Sequence, residues 1–333
     1  MTATIVPPDV GTDEPDKAPR PKRGARFKAA PWGLAPSLIM TGIFVYGFIA
    51  FSGWISLSNW RRPTAQDLSL REPFGATYKE LFSEQRFQAD MRNMLVFTIG
   101  FLALSIIGGL VVALFVHRVV IGKGVFRSIF LLPYALSFIV TGVAFRWIFN
   151  PESGVNVFLA KAGVDNPPGW TTDTNIIGVI YGPANDLRIE LGIPVALIPI
   201  VLAASWQLMG FAMAMYLAGL SSIPNDELEA AAVDGASTGQ TLRHIVLPQL
   251  WPSTVTCFVL LLHIALKIFD LVVAMSGSGP GFVTDVPGIY VFDAMTKSNR
   301  YDKGTAAALV VFVITCLVIV PYLSRSYRSE RAN

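Results

Sequence analysis

Residues 94–116 read MLVFTIGFLALSIIGGLVVALFV, an apolar run of 23 residues without a charged side chain. This length matches the roughly 20 residues that a helix needs to cross a hydrocarbon core about 30 Å thick. Five further blocks of the same character follow or precede it, so the sequence predicts six membrane-spanning helices. Their predicted bounds are residues 33–55, 94–116, 125–147, 194–220, 253–275 and 305–324.

The composition of the whole chain supports this reading of the apolar blocks. Of 333 residues, 53% are hydrophobic and 15% are charged, whereas soluble domains carry about 25% charged residues. The mean hydropathy is +0.52. These values exclude an ordinary soluble enzyme, a disordered chain and a disulfide scaffold. The net charge of +3 is too small and too dispersed for binding to nucleic acid. The predicted fold class is an all-α polytopic protein embedded in a lipid bilayer.

The cysteines and histidines do not form a recognisable reactive or metal-binding pattern. Cys257 and Cys316 lie inside apolar blocks, where small side chains in a helix interface are favoured over a disulfide. His117, His244 and His263 lie far apart and lack the spacing of metal ligands. We therefore predict neither a disulfide nor a metal site.

The two ends of the chain are polar and basic. Residues 1–30 are rich in proline, lysine and arginine, which predicts a disordered tail, and residues 326–333 form a second short tail. The first apolar block is too long for the core of a cleaved signal peptide. Lysine and arginine are divided almost evenly between the two sides of the predicted membrane. Because the dense clusters lie directly beside helix ends, we place both termini in the cytoplasm.

The loop between the fourth and fifth predicted spans, residues 221–252, reads SSIPNDELEAAAVDGASTGQTLRHIVLPQLWP. Pro224 suits a first helical turn, and the acidic residues after it suit a helix N-terminus. Gly235 can end that helix in the left-handed conformation, and Ser237 with Gln240 forms a capping box for a second helix. The pattern predicts two short helical pieces hinged at Gly235. Such a segment either lies on the membrane or on its own spans, or docks in the groove of a partner.

The same loop contains the complete pattern E-A-A, three residues, G, nine residues, I-x-L-P. Its residues are Glu229, Ala230, Ala231, Gly235, Ile245, Leu247 and Pro248. It resembles the EAA loop of permease subunits of binding-protein-dependent ABC importers. The stretches FRSIFLLPYALS, WIFNPESGVN, MYLAGL and FDLVVAMSGSGPG agree with that family in the same order. The resemblance covers about residues 34 to 324 and is closest to the carbohydrate-uptake branch, of the MalF, α-glucoside or glycerol-phosphate type.

This resemblance implies a type I ABC importer permease fold in a permease domain of residues 31–325, set in the plasma membrane of a prokaryote. The implied partners are a second permease, two ATPase subunits, an extracytoplasmic solute-binding protein and a sugar. The implied ATPase contact consists of Glu229, Ala230, Ala231, Asp234 and Gly235, followed by Ile245, Leu247 and Pro248. The chain contains no G-x-x-x-x-G-K-[ST] string, so Mg-ATP is expected on the partner ATPase and the chain is not expected to be an enzyme.

Five residues are candidates for the solute path. Lys267 and Asp270 are predicted to lie three apart on one helical face near the outer end of the fifth span. They form either a structural ion pair near the interface or a sugar contact. Trp206, Gln207 and Phe211 of the fourth span either stack on and hydrogen-bond a sugar or serve as interfacial anchors.

Two departures from the family pattern concern the same part of the chain. About twenty residues around positions 175–192 are inserted before the fourth span, and Ala212 stands where an asparagine often follows the Gly-Phe pair. If position 212 lines the solute path, a polar contact is missing. A self-sufficient secondary carrier is the alternative function, but it would show paired repeats and several buried ionisable groups. An intramembrane enzyme would need a nucleophile–base pair or metal ligands, which the spans lack.

Overall fold

The computed structural model describes residues 30–64, 66–118, 122–180 and 191–332. The chain divides into two compact units, residues 1–51 and 52–333. The predicted basic tail over residues 1–30 lies, apart from Ala30, outside the described residues.

The first unit is helical over its described part. It contains α1 (Ala30–Thr41), a π-helical turn (Gly42–Gly47) and the start of α2 (Phe48–Ser56), which continues into the second unit. Within these elements the stretch Leu34–Ser56 forms an apolar helix of 23 residues, long enough to cross a membrane. It coincides with the predicted first span.

The second unit continues with a short helix, α3 (Ala76–Ser83), and a long one, α4 (Gln85–Arg118). At 34 residues, α4 begins nine residues before the predicted second span. These additional turns carry charged side chains, because they lie beyond the apolar block. The helix is therefore partly an apolar span and partly a polar extension.

The third predicted span is a bent pair of helices. It consists of α5 (Lys123–Leu131), a 3-10 turn (Leu132–Ala135) and α6 (Phe138–Ile148). The two halves meet at 96°. Pro133 lies in the turn and Leu136 is extended, so the helical hydrogen bonds are interrupted there. The predicted third span, residues 125–147, thus consists of two helical pieces that meet at an angle.

The described residues before the fourth predicted span include two paired strands. After α7 (Val155–Lys161) and a 3-10 turn (Trp170–Thr172), strand β1 (Ile176–Ile180) pairs antiparallel with β2 (Leu191–Pro194). Ile177 lies opposite Ile193 in this pairing. Residues 181–190 lie outside the described residues.

Helix α8 (Leu197–Ser221) runs along α4 and forms the centre of the protein. Small residues allow the two helices to approach closely, as is common between membrane helices. A Cβ atom at Gly109 would lie 2.5 Å from the Ala212 Cβ and 3.0 Å from the Met213 backbone nitrogen. Ala212 is fully buried in this contact. It therefore packs against α4.

The loop with the E-A-A pattern and the fifth predicted span form a chain of short elements. They are α9 (Asn225–Val233), α10 (Thr238–Thr241), a π-helical turn (Leu242–Val246), α11 (Leu247–Gln249) and α12 (Trp251–Leu266). The segment Thr238–Gln249 meets α12 at 59°. The backbone then leaves the helical conformation at Phe269, and α13 (Asp270–Met275) follows. The predicted continuous span over residues 253–275 is therefore broken near its outer end.

The last part of the chain contains a 3-10 turn (Pro280–Phe282), α14 (Pro287–Thr296) and α15 (Tyr301–Ala332). Helix α15 includes the predicted sixth span and continues into the predicted tail after it. Within the described part of the chain, four helices are long and apolar enough to cross a membrane. The number rises to six if each of the two bent pairs counts as one span.

The second unit has two ends, each with its own apolar cluster. At one end, the last turns of α4 and α8 pack against the E-A-A loop in an apolar cluster of Ala113, Val116, Met213, Tyr216, Leu220, Ile223, Val246 and Leu250. We call this the loop end. At the other, the start of α4 packs against α3, α14 and α15 in a cluster of Leu81, Phe87, Tyr290, Ala294, Ala306 and Ala307. We call this the opposite end.

Candidate functional site

The elbow of the E-A-A loop is built by backbone hydrogen bonds at the end of α9. Gly235 has φ of +78°, in the left-handed region that glycine adopts without strain. The Ala236 N–H donates to the Ala231 carbonyl at 2.9 Å, and the Gly235 N–H donates to the Ala232 carbonyl at 3.1 Å. This is the Schellman pattern of a helix C-terminus. The predicted hinge at Gly235 is confirmed.

The second helical piece begins with the predicted capping box. The Ser237 N–H donates to Gln240 Oε1 at 2.7 Å, and the Gln240 N–H donates back to Ser237 Oγ at 3.4 Å. Two otherwise unpaired amide groups are thereby satisfied on an exposed loop. The elbow is consequently rigid at both sides of Gly235. Pro224 precedes α9 as its N-cap and does not enter its first turn.

One side of the loop is anchored in the core of the second unit. Leu228 and Leu242 are half-buried against the cluster at the loop end, and Val246 is buried within it. Beneath them, Tyr216 Oη donates to Thr254 Oγ1 at 3.1 Å, which joins α8 to α12. The loop is therefore packed against the helices that precede and follow it.

The other side of the loop is exposed. Glu229, Ala230, Asp234 and Gly235 are exposed, as are Leu247 and Pro248 further on, whereas Ala231 and Ile245 are half-buried. An open cavity of about 320 Å³ lies in the bend of the elbow, bordered by Asp234, Gly235, Ala236, Gln240, Thr241, His244 and Ile245. Three of the predicted coupling residues, Asp234, Gly235 and Ile245, thus border one accessible cavity.

Sequence reasoning did not select Val233, which is 88% exposed at the tip of the elbow. An apolar β-branched side chain in this position is typical of a surface that a partner covers. Its position at the end of α9, directly before Asp234 and Gly235, is the sequence feature that could have identified it.

Lys267 and Asp270 do not form the predicted pair. The helix stops at Lys267, which is its C-cap residue, and Asp270 begins the separate helix α13. Lys267 Nζ instead lies 3.1 Å from His263 Nε2, one turn back along α12. Among the described residues Lys267 and Asp270 make no ion pair. The interpretation as a structural ion pair is therefore wrong, because the helix breaks between them.

A large cavity of about 610 Å³ lies between α12, α14 and α15. Most of its wall is apolar, including Phe269, Phe292 and Phe312, and Lys267 and His263 stand at its edge. Of the five path candidates, Lys267 borders this cavity.

The three candidates on α8 have structural contacts. Gln207 is buried, and its Nε2 donates to the Leu136 carbonyl at 2.7 Å, at the break between α5 and α6. Phe211 stacks on Tyr134 with ring centroids 5.4 Å apart. Trp206 is 44% exposed and lies 5.3 Å from the Phe145 ring. Gln207 thus donates a hydrogen bond to a backbone carbonyl at the point where the helix is interrupted.

At the opposite end, sequence reasoning missed a network of ion pairs centred on Arg86. Its Nε donates to Asp285 Oδ2 at 2.6 Å and its Nη2 to Asp293 Oδ2 at 2.8 Å. The guanidinium also lies over the rings of Phe282 and Tyr290, at 5.2 and 5.5 Å from their centroids. The first turn of α4 is consequently fastened to the segment around α14.

Two further polar side chains lie near Arg86 on α4. Asn93 Nδ2 donates to the carbonyls of Phe282 and Asp285, at 2.8 and 2.9 Å. Asp90 is fully buried, one helical turn after Arg86. A sequence signal existed in the polar residues that directly precede the charge-free block of α4.

The environment shifts the pKa values of three groups that α14 and the segment before it bring to this network. Burial raises the pKa of Asp285 even though Arg86 bonds to it. Burial, together with a hydrogen bond to Glu84, raises the pKa of Tyr290. At Asp293 burial acts in the same direction, but hydrogen bonds from Lys297 and Arg86 outweigh it, so the pKa of Asp293 is lowered.

Within the described ranges, no group of three His, Cys, Asp or Glu side chains lies close enough to hold a metal ion. Cys257 is a free, buried thiol and Cys316 a free, half-buried one. The site with the clearest construction in the described residues is therefore the exposed elbow at the loop end.

Comparison with known proteins identifies the family of the chain. The family described as "Binding-protein-dependent transport system inner membrane component" matches residues 105–328. A probable ABC transporter permease protein of Pyrococcus horikoshii is 35% identical over 89% of this chain and 95% of its own length. The xylose/arabinose import permease protein XacH of Haloferax volcanii is 33% identical over 90% of this chain and 88% of its own length.

A solved structure has the same fold. It is that of a bacterial ABC transporter involved in the import of the acidic polysaccharide alginate, with a TM-score of 0.69 and 21% identity. The match covers 90% of this chain and 95% of that chain. This chain belongs to the family of binding-protein-dependent transport system inner membrane components.

Proposed function

We propose that this chain is one of two different permease subunits of an ATP-driven sugar importer in the plasma membrane of a prokaryote. The family supports the importer, and relatives named as sugar permeases support the solute class. The proposal includes six spans, with each bent pair counted as one, and both termini in the cytoplasm. The relatives offer nothing in favour of the secondary carrier considered above.

The elbow at the loop end carries the proposal. It is an exposed helical bend, rigid on both sides of Gly235 and anchored in the core by Val246. A partner ATPase that moves on binding Mg-ATP would displace this bend, and the anchor would pass the displacement to α8 and α12. Because nucleotide must favour one conformation of the assembly, the docked surface has to differ between the two states.

The partner contact combines three kinds of side chain. Glu229 and Asp234 offer carboxylates to basic groups, Ala230 permits close approach, and Val233 offers an apolar tip. Half-buried Ile245 lies on the wall of the cavity in the bend, which a side chain of the ATPase would enter. The ATPase, with its Mg-ATP, is a separate polypeptide in this scheme.

The solute path lies beside the cavity between α12, α14 and α15. Lys267 is the polar candidate on its wall, and the second permease would close its open side. Trp206 retains an exposed ring face that is able to stack on a sugar. An extracytoplasmic solute-binding protein would deliver the sugar at the opposite end of the second unit, which faces away from the ATPase.

The test uses two glycines of the same loop. Gly235→Val places a β-branched residue at φ of +78°, which strains the backbone, whereas Gly239 lies in α10 with no atom within 4 Å of its added Cβ. We expect Gly235→Val to reduce ATP-driven sugar uptake at least about tenfold, which corresponds to about 1.4 kcal/mol in coupling.

Membrane levels of the two variants should remain normal, and Gly239→Val should transport nearly as the wild type does. Uptake is measured with radiolabelled sugar in cells that contain the assembled importer, and docking is measured by pull-down of the ATPase. Normal uptake by Gly235→Val at a normal membrane level would contradict the docking role of the elbow.

A further inference from the structure

The opposite end contains a polar cavity that the proposed function does not use. Its volume is about 230 Å³. Four charged side chains border it, Glu84, Arg86, Arg300 and Lys303, together with Tyr290. They come from the start of α4, from α14 and from the start of α15.

Each charged side chain on this wall is already neutralised by the protein. Lys303 Nζ lies 3.1 Å from Glu84 Oε2. Arg300 donates Nε and Nη2 to the two carboxylate oxygens of Asp302, both at 2.9 Å. Arg86 bonds to Asp285 and Asp293 as described above. The wall therefore consists of ion pairs and offers no excess charge of either sign to a ligand.

The same side chains still have free hydrogen-bonding capacity towards the cavity. Between 17% and 35% of the surface of each of the four charged side chains remains exposed. A guanidinium carries five N–H donors and an ammonium three, and a carboxylate accepts several bonds, so these ion pairs do not exhaust them. A ligand that both donates and accepts hydrogen bonds is favoured over a simple ion.

One part of the wall is apolar. Ala294 is buried there, and the ring of Tyr290 lies beside it. A sugar ring matches this combination, because hydroxyl groups at its edge donate and accept hydrogen bonds while the C–H groups on its face pack on an apolar surface. The volume suits a single ring and excludes a long chain.

We propose that this cavity binds one ring of an uncharged sugar at the end of the permease that faces away from the ATPase. It is a subsite next to the solute path, and this assignment rests on the proposed function of sugar import. Helix α14 separates the two spaces, since Val291, Phe292 and Met295 line the large apolar cavity and Tyr290 and Ala294 line the polar one.

The binding test fills the cavity from its rim. Ser298 is an exposed residue of the lining, so Ser298→Trp adds bulk there without disturbing the buried cluster. Ser83→Trp is the matched control, since Ser83 is also exposed near the opposite end but lies outside the lining. The full chain in nanodiscs is tested by saturation-transfer difference NMR with D-glucose, D-xylose and D-glucuronate.

We expect the wild type and Ser83→Trp to bind at least one of the two neutral sugars, and Ser298→Trp to lose the signal. Lys303→Met removes one charged donor and should weaken binding about tenfold. The subsite is refuted if Ser298→Trp binds as the wild type does. Its assigned chemistry is refuted if D-glucuronate alone binds, since that would require an anion site.

Transport separates this proposal from the one on which it rests. In the assembled importer, Ser298→Trp should lower uptake at low sugar concentration while Ser83→Trp does not. Equal uptake by the two variants would overturn the subsite and leave the importer intact. A wild-type importer that takes up no sugar would overturn the proposed function itself.

Discussion

At the scale of single residues, Arg86 is the strongest tie in the opposite end. It joins α4 to Asp285 and Asp293, which lie 199 and 207 positions away in sequence. Removing one member of a buried ion pair costs about 3–5 kcal/mol, because the other charge is left without a partner. The ion pairs therefore hold α14 against α4, because an arrangement that separates them leaves buried charges without a partner.

Asp293 gives this network a definite pH dependence. Its folded-state pKa is lowered, so its contribution to stability is present above the ordinary value of about 3.9 and is lost as the pH falls through the folded-state pKa. We expect Asp293→Asn to lower the thermal unfolding midpoint at pH 7 and to be closer to the wild type near pH 3. The unfolding midpoints at the two pH values are measured by thermal unfolding of the detergent-solubilised chain.

The control for this variant is Asp165→Asn, at an exposed carboxylate away from the network. It should change neither midpoint. If Asp293→Asn is as stable as the wild type at pH 7, the ion pairs contribute nothing to the position of α14.

At the scale of elements, residues that are neighbours in sequence determine the elbow. The bent helices also depend on contacts between distant parts of the chain. The end of α9 and the start of α10 depend on Gly235, Ser237 and Gln240, which are neighbours in sequence, so their pattern sufficed. At the break in the third span, Pro133 is a local signal. The hydrogen bond from Gln207 of α8 to the Leu136 carbonyl, which makes an interrupted helix tolerable in an apolar medium, has no such local signal.

The fifth span illustrates the same limit for the candidate site. Lys267 and Asp270 have the spacing of one helical face, yet the backbone leaves the helix between them. Hydropathy records that residues 253–275 are apolar and does not record where the helix ends. The Arg86 network joins residues 199 and 207 positions apart, so the polar residues before the charge-free block of α4 do not by themselves identify its partners.

The contact between α4 and α8 provides a prediction at this scale. Gly109→Val introduces atoms into a space already occupied by Ala212, so we expect the two helices to be forced apart at a cost of about 1–3 kcal/mol. The thermal unfolding midpoint in detergent should fall accordingly.

Gly53→Val is the matched control, because Gly53 is also helical and has no atom within 4 Å of an added Cβ. Should the two variants unfold at the same temperature, close packing of α4 on α8 would not be a main source of stability.

At the scale of the whole protein, the two ends of the second unit have different tasks in the proposed importer. The loop end presents the elbow to an ATPase, and the opposite end presents ion-paired polar groups to the side from which the sugar arrives. Orientation in the membrane is therefore a direct test. We expect Arg243→Cys to be cytoplasmic and Ser83→Cys to be extracytoplasmic, each introduced after replacing Cys257 and Cys316 with alanine.

A membrane-impermeant maleimide should label Ser83→Cys in intact cells and Arg243→Cys only after the membrane is opened. Inverted vesicles should reverse the pattern. Labelling of Arg243→Cys in intact cells would place the elbow on the wrong side for an ATPase.

The exposure of Val233 has a cost before assembly is complete. A newly made subunit without an ATPase would expose the apolar side chain of Val233 at the elbow. Chaperones, proteases and other copies of the subunit could then bind there. In the proposed importer, the surface that docks the ATPase would thus also expose an unassembled subunit to degradation. Balanced production of the two subunits would limit that exposure.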